Sequence, residues 1–109
     1  MEERDFTVAT SVDGSRAVIA VKGEIDMATV DGLSEALAAA TRDGADEVWI
    51  DLTEVGFMDS TGLSALVTGH RALDGRLVVI CPDGAARRAL DVSGLDELIR
   101  VYQTTPEAS

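Results

Sequence analysis

Residues 48–63 read VWIDLTEVGFMDSTGL, a stretch in which a strand pattern is followed by the start of a helix. Apolar side chains alternate at Val48, Ile50 and Leu52, as in a strand with one buried face. A loop is predicted over residues 53–59. Helix N-termini favour short side-chain oxygens, and three such residues follow one another at Asp59, Ser60 and Thr61. The next residues recur at helical spacing and predict a helix through Leu63, Leu66, Val67, His70 and Leu73.

Strand and helix patterns continue to alternate in both directions from this stretch. Toward the N-terminus the sequence predicts strands over residues 6–12 and 17–21, a hairpin turn at residues 13–15, and a helix from Val30 that ends at Gly44. Toward the C-terminus it predicts a strand over residues 77–80, a third helix from Pro82 to about Gly94, and a short last strand over residues 98–101. A hairpin followed by strand–helix–strand units implies a mixed sheet and an α/β fold.

The bulk properties narrow the class of protein. A length of 109 residues fits one domain over residues 1–109, with a core over about residues 6–101 and frayed ends at residues 1–4 and 104–109. The net charge is −11 and the basic residues are scattered, which argues against a face that binds nucleic acid or an anionic membrane. The longest apolar run near the N-terminus, residues 17–21, is too short for a signal peptide or a membrane span, so a cytoplasmic location is expected.

Catalytic, metal and cofactor sites are not expected. His70 is the only histidine and lies on the helix predicted to follow Ser60, about 15 Å away, so the two cannot form a nucleophile–base pair. Asp26, Asp51 and Asp59 are candidates to meet at strand ends around a divalent cation, but solvated loop aspartates are common and no metal site is predicted. Cys81, the single cysteine, follows an apolar run and is expected to be a buried, inert thiol.

The hydroxyl of Ser60 has two interpretations that chemistry alone leaves open. Asp59, Ser60 and Thr61 are all explained by helix capping. A hydroxyl at a helix N-terminus also lies where free N–H groups and the helix dipole favour an added anion. Phosphorylation of Ser60 would then leave the helix intact while changing the surface that a partner meets. That arrangement is typical of a switch.

Several motifs resemble those of the anti-anti-sigma factors, which are STAS-domain proteins. Phe57 to Leu63 (FMDSTGL) is similar to the phosphorylation-site signature of that family. Further similarities occur in family order at residues 23–26 (GEID), 48–52 (VWIDL), 75–77 (GRL) and 93–96 (SGLD). The resemblance extends from about Phe6 to Val101. It implies a STAS-like single domain in which the mixed sheet begins with a hairpin and the helices pack mainly on one face.

The same resemblance implies a function by partner switching and no enzymatic activity. Ser60 would be the phosphoacceptor, with Thr61 as the fallback. The unphosphorylated form would bind an anti-sigma factor that is also a serine kinase and so release the sigma factor, and a serine phosphatase would restore it. The implied partner-binding residues are Asp26, Met27, Thr29, Met58, Asp59, Ser60, Thr61 and Gly62. No cofactor is expected, and the chain should be a monomer or a weak dimer.

Two departures from the family pattern lie beside this site. The segment from Leu63 to Arg76 is a few residues shorter than usual, and Ser64 stands where glycine is common. Two other functions therefore stay open. One is an adaptor subunit of a transport or signalling assembly that is not phosphorylated, and the other is a domain that holds a nucleotide or small molecule at the helix N-terminus.

Overall fold

The structure, a computed structural model, describes residues 6–105. Its elements in chain order are β1 (Thr7–Asp13), β2 (Arg16–Ile25), α1 (Val30–Arg42), β3 (Glu47–Met58), α2 (Ser60–Ala72), β4 (Leu77–Ile80), α3 (Ala85–Ser93), α4 (Leu95–Leu98) and β5 (Arg100–Tyr102). The sheet has the order β1-β2-β3-β4-β5, with β1 antiparallel to β2 and all other neighbours parallel. The predicted mixed sheet and α/β class are confirmed. Apart from Thr104 and Thr105, the predicted frayed ends lie outside the described residues.

The hairpin between β1 and β2 follows from its turn residues. Asp13 pairs with Arg16, so only Gly14 and Ser15 connect the two strands. Gly14 has a φ of +67°, in the left-handed region that glycine adopts without strain. The Asp13 carboxylate also lies 3.1 Å from the Arg16 guanidinium across the turn. The turn predicted from the sequence is confirmed.

The helices cover one face of the sheet, as predicted. One continuous core joins the inward side chains of β2, β3 and β4 to buried side chains from all four helices, including Leu33, Leu66, Leu90 and Leu95. Leu66 is fully buried, and burial of a leucine side chain stabilises a fold by about 1.5–3 kcal/mol. None of the helices in residues 6–105 is long and apolar enough to cross a membrane.

The opposite face of the sheet carries a small apolar cluster around Trp49. Val78 and Ile80 are buried beside this indole, and the Tyr102 ring stacks on it with centroids 6.2 Å apart. The Arg16 guanidinium lies 4.6 Å from the centroid of the indole, and the indole N–H donates to Glu47 at 2.9 Å. Trp49 therefore packs on the face of the sheet opposite the helices.

The loop predicted over residues 53–59 is wrong, because β3 continues to Met58. Both β2 and β3 extend past the region of clean alternation and stay paired as far as Ile25 and Met58. Two register shifts interrupt the pairing of β2 with β3. One lies between Ala20 and Lys22 of β2, and the other lies between Gly23 and Glu24. Such bulges break the two-residue period, so the buried residues of this part of β3, Val55 and Met58, are spaced three apart. A prediction that relies on alternation therefore ends β3 at Leu52, six residues too early.

The last strand is also shifted from its predicted position. Leu98, expected to begin it, belongs to the short helix α4, and β5 spans Arg100–Tyr102. Gly94 has a φ of +82°, which ends α3 and lets the chain turn directly into α4. Acidic residues in the first turn of α4, Asp96 and Glu97, favour this second helix start through the helix dipole.

Candidate functional site

Two chain connections meet at the edge of the sheet where β2 and β3 end. β2 leads through residues 26–29 into α1, and β3 leads through Asp59 into α2. The backbone N–H of Asp59 donates to the Ile25 carbonyl at 3.1 Å and joins the two connections. We call the surface formed by residues 24–31 and 57–62 the carboxyl edge, because it lies at the carboxyl ends of two parallel strands. All the implied partner-binding residues lie in it.

Asp59 begins α2 as the capping residue. Its carboxylate accepts hydrogen bonds from the Thr61 backbone N–H at 2.9 Å and from the Thr61 hydroxyl at 2.5 Å. The hydrogen bond from the Thr61 hydroxyl, helped by backbone N–H groups of the first turn, lowers the pKa of Asp59 below its ordinary value. Ser60, considered as a cap from the sequence, is instead the first helical residue. The cap is therefore complete without the Ser60 side chain.

The two neighbouring hydroxyls are in different environments. Ser60 is exposed, and its hydroxyl makes no hydrogen bond to any residue in the described range 6–105. Thr61 is partly buried, and its hydroxyl is held by the Asp59 carboxylate. A phosphate donor that approaches the first turn of α2 thus meets the Ser60 oxygen in solvent, while the Thr61 oxygen is engaged within the protein.

Gly62 lets α2 start directly against the ends of β2 and β3. A Cβ atom at this position would lie 2.5 Å from Cγ of Met58 and 2.8 Å from Cγ2 of Ile25. Both neighbours are buried in the core, with Met58 only 3% exposed. Gly62 and Met58, which the resemblance placed among the partner-binding residues, therefore support the site from beneath and do not form its outer surface.

The connection from β2 to α1 is held by its own side chains. The Thr29 hydroxyl donates to the Glu24 carbonyl at 2.7 Å and accepts from the Asp26 backbone N–H at 3.0 Å. The Asp26 carboxylate accepts from the Ala28 backbone N–H at 3.0 Å. Both side chains brace the turn, and its tip, Met27, points into solvent with 78% of its surface exposed.

The carboxyl edge is strongly acidic. Residues 23–41 and 55–70 contain no lysine or arginine, whereas carboxylates occur at Glu24, Asp26, Asp31 and Asp59. Lys22, just outside the first segment, lies 3.7 Å from Glu54 on the neighbouring strand. A partner that binds here meets a surface of negative potential.

A groove between α1 and α2 opens beside this edge. It has a volume of about 470 Å³ and is lined in equal number by apolar residues and by Ser, Thr or Arg, with Val30 and Thr61 at one end and Arg42 and Ala72 at the other. Gly69 permits the close approach of the helices, since a Cβ there would lie 3.1 Å from the nearest Leu37 methyl. Of the described residues that line the groove, Arg42 alone is cationic, and it lies at the end remote from Ser60. This lining does not favour a nucleotide phosphate at the start of α2.

The other side chains singled out from the sequence lie away from the edge. Asp51 lies in the middle of β3 and accepts from the Thr53 hydroxyl at 2.5 Å, so it does not converge with Asp26 and Asp59. Residues 6–105 contain no group of three metal-binding side chains. Cys81 is buried as predicted, and burial raises the pKa of its thiol to about 11. His70 lies on α2 ten residues beyond Ser60, as predicted.

Phe57 is the site residue that the sequence analysis did not assign. It lies beside buried Met58 at the end of β3, and 45% of its surface is exposed. It pairs with Glu24 in the parallel register. The signal was present in the motif, but the predicted loop over residues 53–59 concealed which face each side chain occupies.

This fold and its edge define the class of protein. The family model of the STAS domain matches residues 7–108, and the chain belongs to that family. Within it, this chain is 30% identical to the anti-sigma-B factor antagonist of Staphylococcus aureus over 104 residues, which cover 93% of this chain and 96% of the relative. It is thus a STAS domain of the anti-sigma factor antagonist family.

Solved structures agree with that assignment. The crystal structure of an anti-sigma factor antagonist from Mycobacterium paratuberculosis superposes with a TM-score of 0.87 at 31% identity, and the match covers 93% of this chain and 88% of that one. The phosphorylated form of the Bacillus cell fate determinant SpoIIAA has the same fold, with a TM-score of 0.66 at 24% identity and coverage of 90% and 91%.

Proposed function

We propose that this protein binds an anti-sigma factor through the carboxyl edge, and that the anti-sigma factor is a serine kinase that ends the interaction by phosphorylating Ser60. Binding of the unphosphorylated form frees the sigma factor, and a serine phosphatase regenerates it. The chain itself supplies a docking surface and a phosphoacceptor, and catalysis belongs to its partners. This role places the protein in the cytoplasm, where transcription is regulated.

The observation that carries this proposal is the contrast between Ser60 and Thr61. The Ser60 hydroxyl is exposed and makes no hydrogen bond within residues 6–105, while Asp59 holds the Thr61 hydroxyl at 2.5 Å. Transfer to Thr61 would require that strong, charge-assisted hydrogen bond to break first. Ser60 is therefore the preferred acceptor, because transfer of phosphate to it does not require an existing hydrogen bond to break.

The position of Ser60 explains why the fold would survive phosphorylation. A phosphoserine carries about −1.5 to −2 charges at neutral pH. As the first residue of α2, Ser60 holds them beside the positive end of the helix dipole, which partly offsets repulsion from Asp59. The phosphate also stays in solvent, because no core residue packs over Ser60.

The same charge would weaken the complex. A surface that accepts a neutral hydroxyl has no room for a hydrated dianion, and removal of that hydration is costly. In a kinase, the acceptor oxygen also faces the nucleotide phosphates, so the transferred group is repelled by the nucleotide that remains. The phosphorylated form of SpoIIAA has this fold, which supports the expectation that the fold tolerates phosphorylation.

The test is to map the phosphate after incubation with the anti-sigma factor and ATP. We expect one phosphate on the wild-type protein and none on Ser60→Ala. Thr61→Val, which removes the neighbouring hydroxyl and keeps the branched shape, is the matched control and should still accept one phosphate. A phosphate that persists in Ser60→Ala would refute the assignment. A wild-type protein that binds the anti-sigma factor but is never phosphorylated would support the adaptor function.

A further inference from the structure

The carboxyl edge presents two large apolar side chains to solvent. Met27 is at the tip of the β2–α1 connection and Phe57 is near the end of β3. The two segments are tied together by the hydrogen bond from Asp59 to Ile25. Neither side chain belongs to the two apolar clusters of residues 6–105. Each therefore exposes apolar surface to water, and burial of that surface against a partner would be favourable.

The backbone around both side chains is ordered by hydrogen bonds. Met27 is fixed by the Thr29 and Asp26 contacts described above, and Phe57 lies in a strand paired with β2. Little backbone entropy remains to be lost when such side chains enter a partner's pockets, so the ordering cost of binding is confined to the side chains themselves. Apolar anchors of this kind supply most of the binding energy in many interfaces.

The surroundings indicate the chemistry of the complementary surface. Glu24 pairs with Phe57 in the strand register, Asp26 is next to Met27, and no lysine or arginine occurs in residues 23–41 or 55–70. Apolar side chains within an acidic border fit apolar pockets within a basic border. Ser60 lies three residues after Phe57. A residue that switches an interaction must lie in or beside the interface that it controls, which identifies the anti-sigma factor as the occupant.

We propose that Met27 and Phe57 are the two apolar anchors of the interface with the anti-sigma factor, and that its pockets for them are bordered by basic side chains. This inference rests on the proposed function and deepens it. Phosphate on Ser60, three residues after Phe57, then acts beside this apolar contact. A hydrated dianion there holds the anchors out of their pockets, even though the border of the partner is basic.

Exposure-matched substitutions test the anchors. Met27→Ala and Phe57→Thr remove them, and the threonine keeps the strand preference of the position. Val92→Ala and Leu98→Ala are the controls, since these side chains are 83% and 52% exposed but lie on α3 and α4. Titration of each variant with the anti-sigma factor should show affinity at least about tenfold weaker for the first pair and changed less than about threefold for the controls. Thermal melts should differ little among all four.

The outcomes separate the inference from the proposed function. If the wild-type protein does not bind the anti-sigma factor, both are overturned. If it binds and the two edge variants bind as tightly as the two controls, the anchors are wrong while the proposed function stands. The basic border is tested by salt: affinity should fall as the ionic strength rises from about 50 to 500 mM, because the Debye length shortens from about 14 to about 4 Å and the attraction between the charged borders is screened. Affinity independent of salt would overturn that part.

Discussion

The contact beneath Gly62 gives the most stringent test of how the site is built. In Gly62→Ala the new methyl would lie 2.5 Å from Cγ of Met58 and 2.8 Å from Cγ2 of Ile25, more than half an ångström inside ordinary van der Waals contact in both cases. Ile25 is β-branched and fully buried, so it cannot move aside by a rotamer change alone. Either Met58 repacks or the start of α2 moves outward, and with it Ser60.

The expected cost follows from two opposing terms. Overpacking of a core contact lowers the free energy of unfolding by about 1–3 kcal/mol. Replacement of glycine by alanine in a helix raises it by up to about 1 kcal/mol. We expect a net loss of about 1–2 kcal/mol, which lowers the Tm of a domain of this size by about 5–10 °C. Affinity for the anti-sigma factor should fall as well, because the carboxyl edge is displaced.

Gly56→Ala is the matched control for this experiment. A Cβ at Gly56 would meet no atom within 4 Å, and its φ lies outside the left-handed region. Thermal denaturation of both variants and the wild-type protein gives the comparison. The packing account is refuted if Gly62→Ala melts at the same temperature as Gly56→Ala and binds the partner equally well.

Three further outcomes follow from the contacts of Asp59 and from the burial of Cys81. Asp59→Ala frees the Thr61 hydroxyl, so mapping of phosphate after kinase treatment should show some transfer to Thr61; modification of Ser60 alone would mean that the carboxylate does not restrict the choice of acceptor. Because the pKa of Asp59 is lowered in the folded protein, its ionised form stabilises the fold above the unfolded value of 3.8 and that stability is lost as pH falls through the folded pKa. The Tm difference between wild type and Asp59→Asn should therefore shrink below pH 4 or so, and a difference that grows in acid would contradict the cap. Cys81, with its pKa raised to about 11, should resist a thiol reagent at pH 8 in the native protein and react once it is unfolded by denaturant; rapid native labelling would show that the thiol is accessible.

Periodicity and turn chemistry were sufficient to predict most of the architecture. Asp13 and Gly14 located the hairpin, because Asp-Gly is a common turn signal and Gly14 takes the positive φ that the turn requires. The apolar stripe from Leu63 to Leu73 located α2, since it fits the helical period and no strand. These signals are local, and a single sequence displays them directly.

The remaining features depend on contacts between segments distant in sequence. The end of β3 is bulged where it pairs with β2, and neither segment alone shows that pairing. The cap of α2 is Asp59 because its carboxylate reaches the Thr61 N–H and hydroxyl, whereas composition allowed any of three residues in a row. Phe57 is exposed at its position in β3. The loop predicted over residues 53–59 assigned no strand there, so this exposure could not be derived from the sequence. Sequence reasoning thus located the start of α2, but it did not identify Asp59 as the capping residue or Phe57 as an exposed side chain.

Parallel titration and melting of the two phosphorylation states test the central claim most directly. The protein phosphorylated on Ser60 and its unmodified form are each titrated with the anti-sigma factor, and both are melted alone. We expect phosphorylation to weaken binding at least about a hundredfold, which corresponds to about 3 kcal/mol, and to leave the Tm within a few degrees. Equal affinities would show that Ser60 does not control binding. Loss of binding together with a collapsed melt would show that phosphate unfolds the domain, which contradicts the placement of Ser60 at a tolerant helix N-terminus.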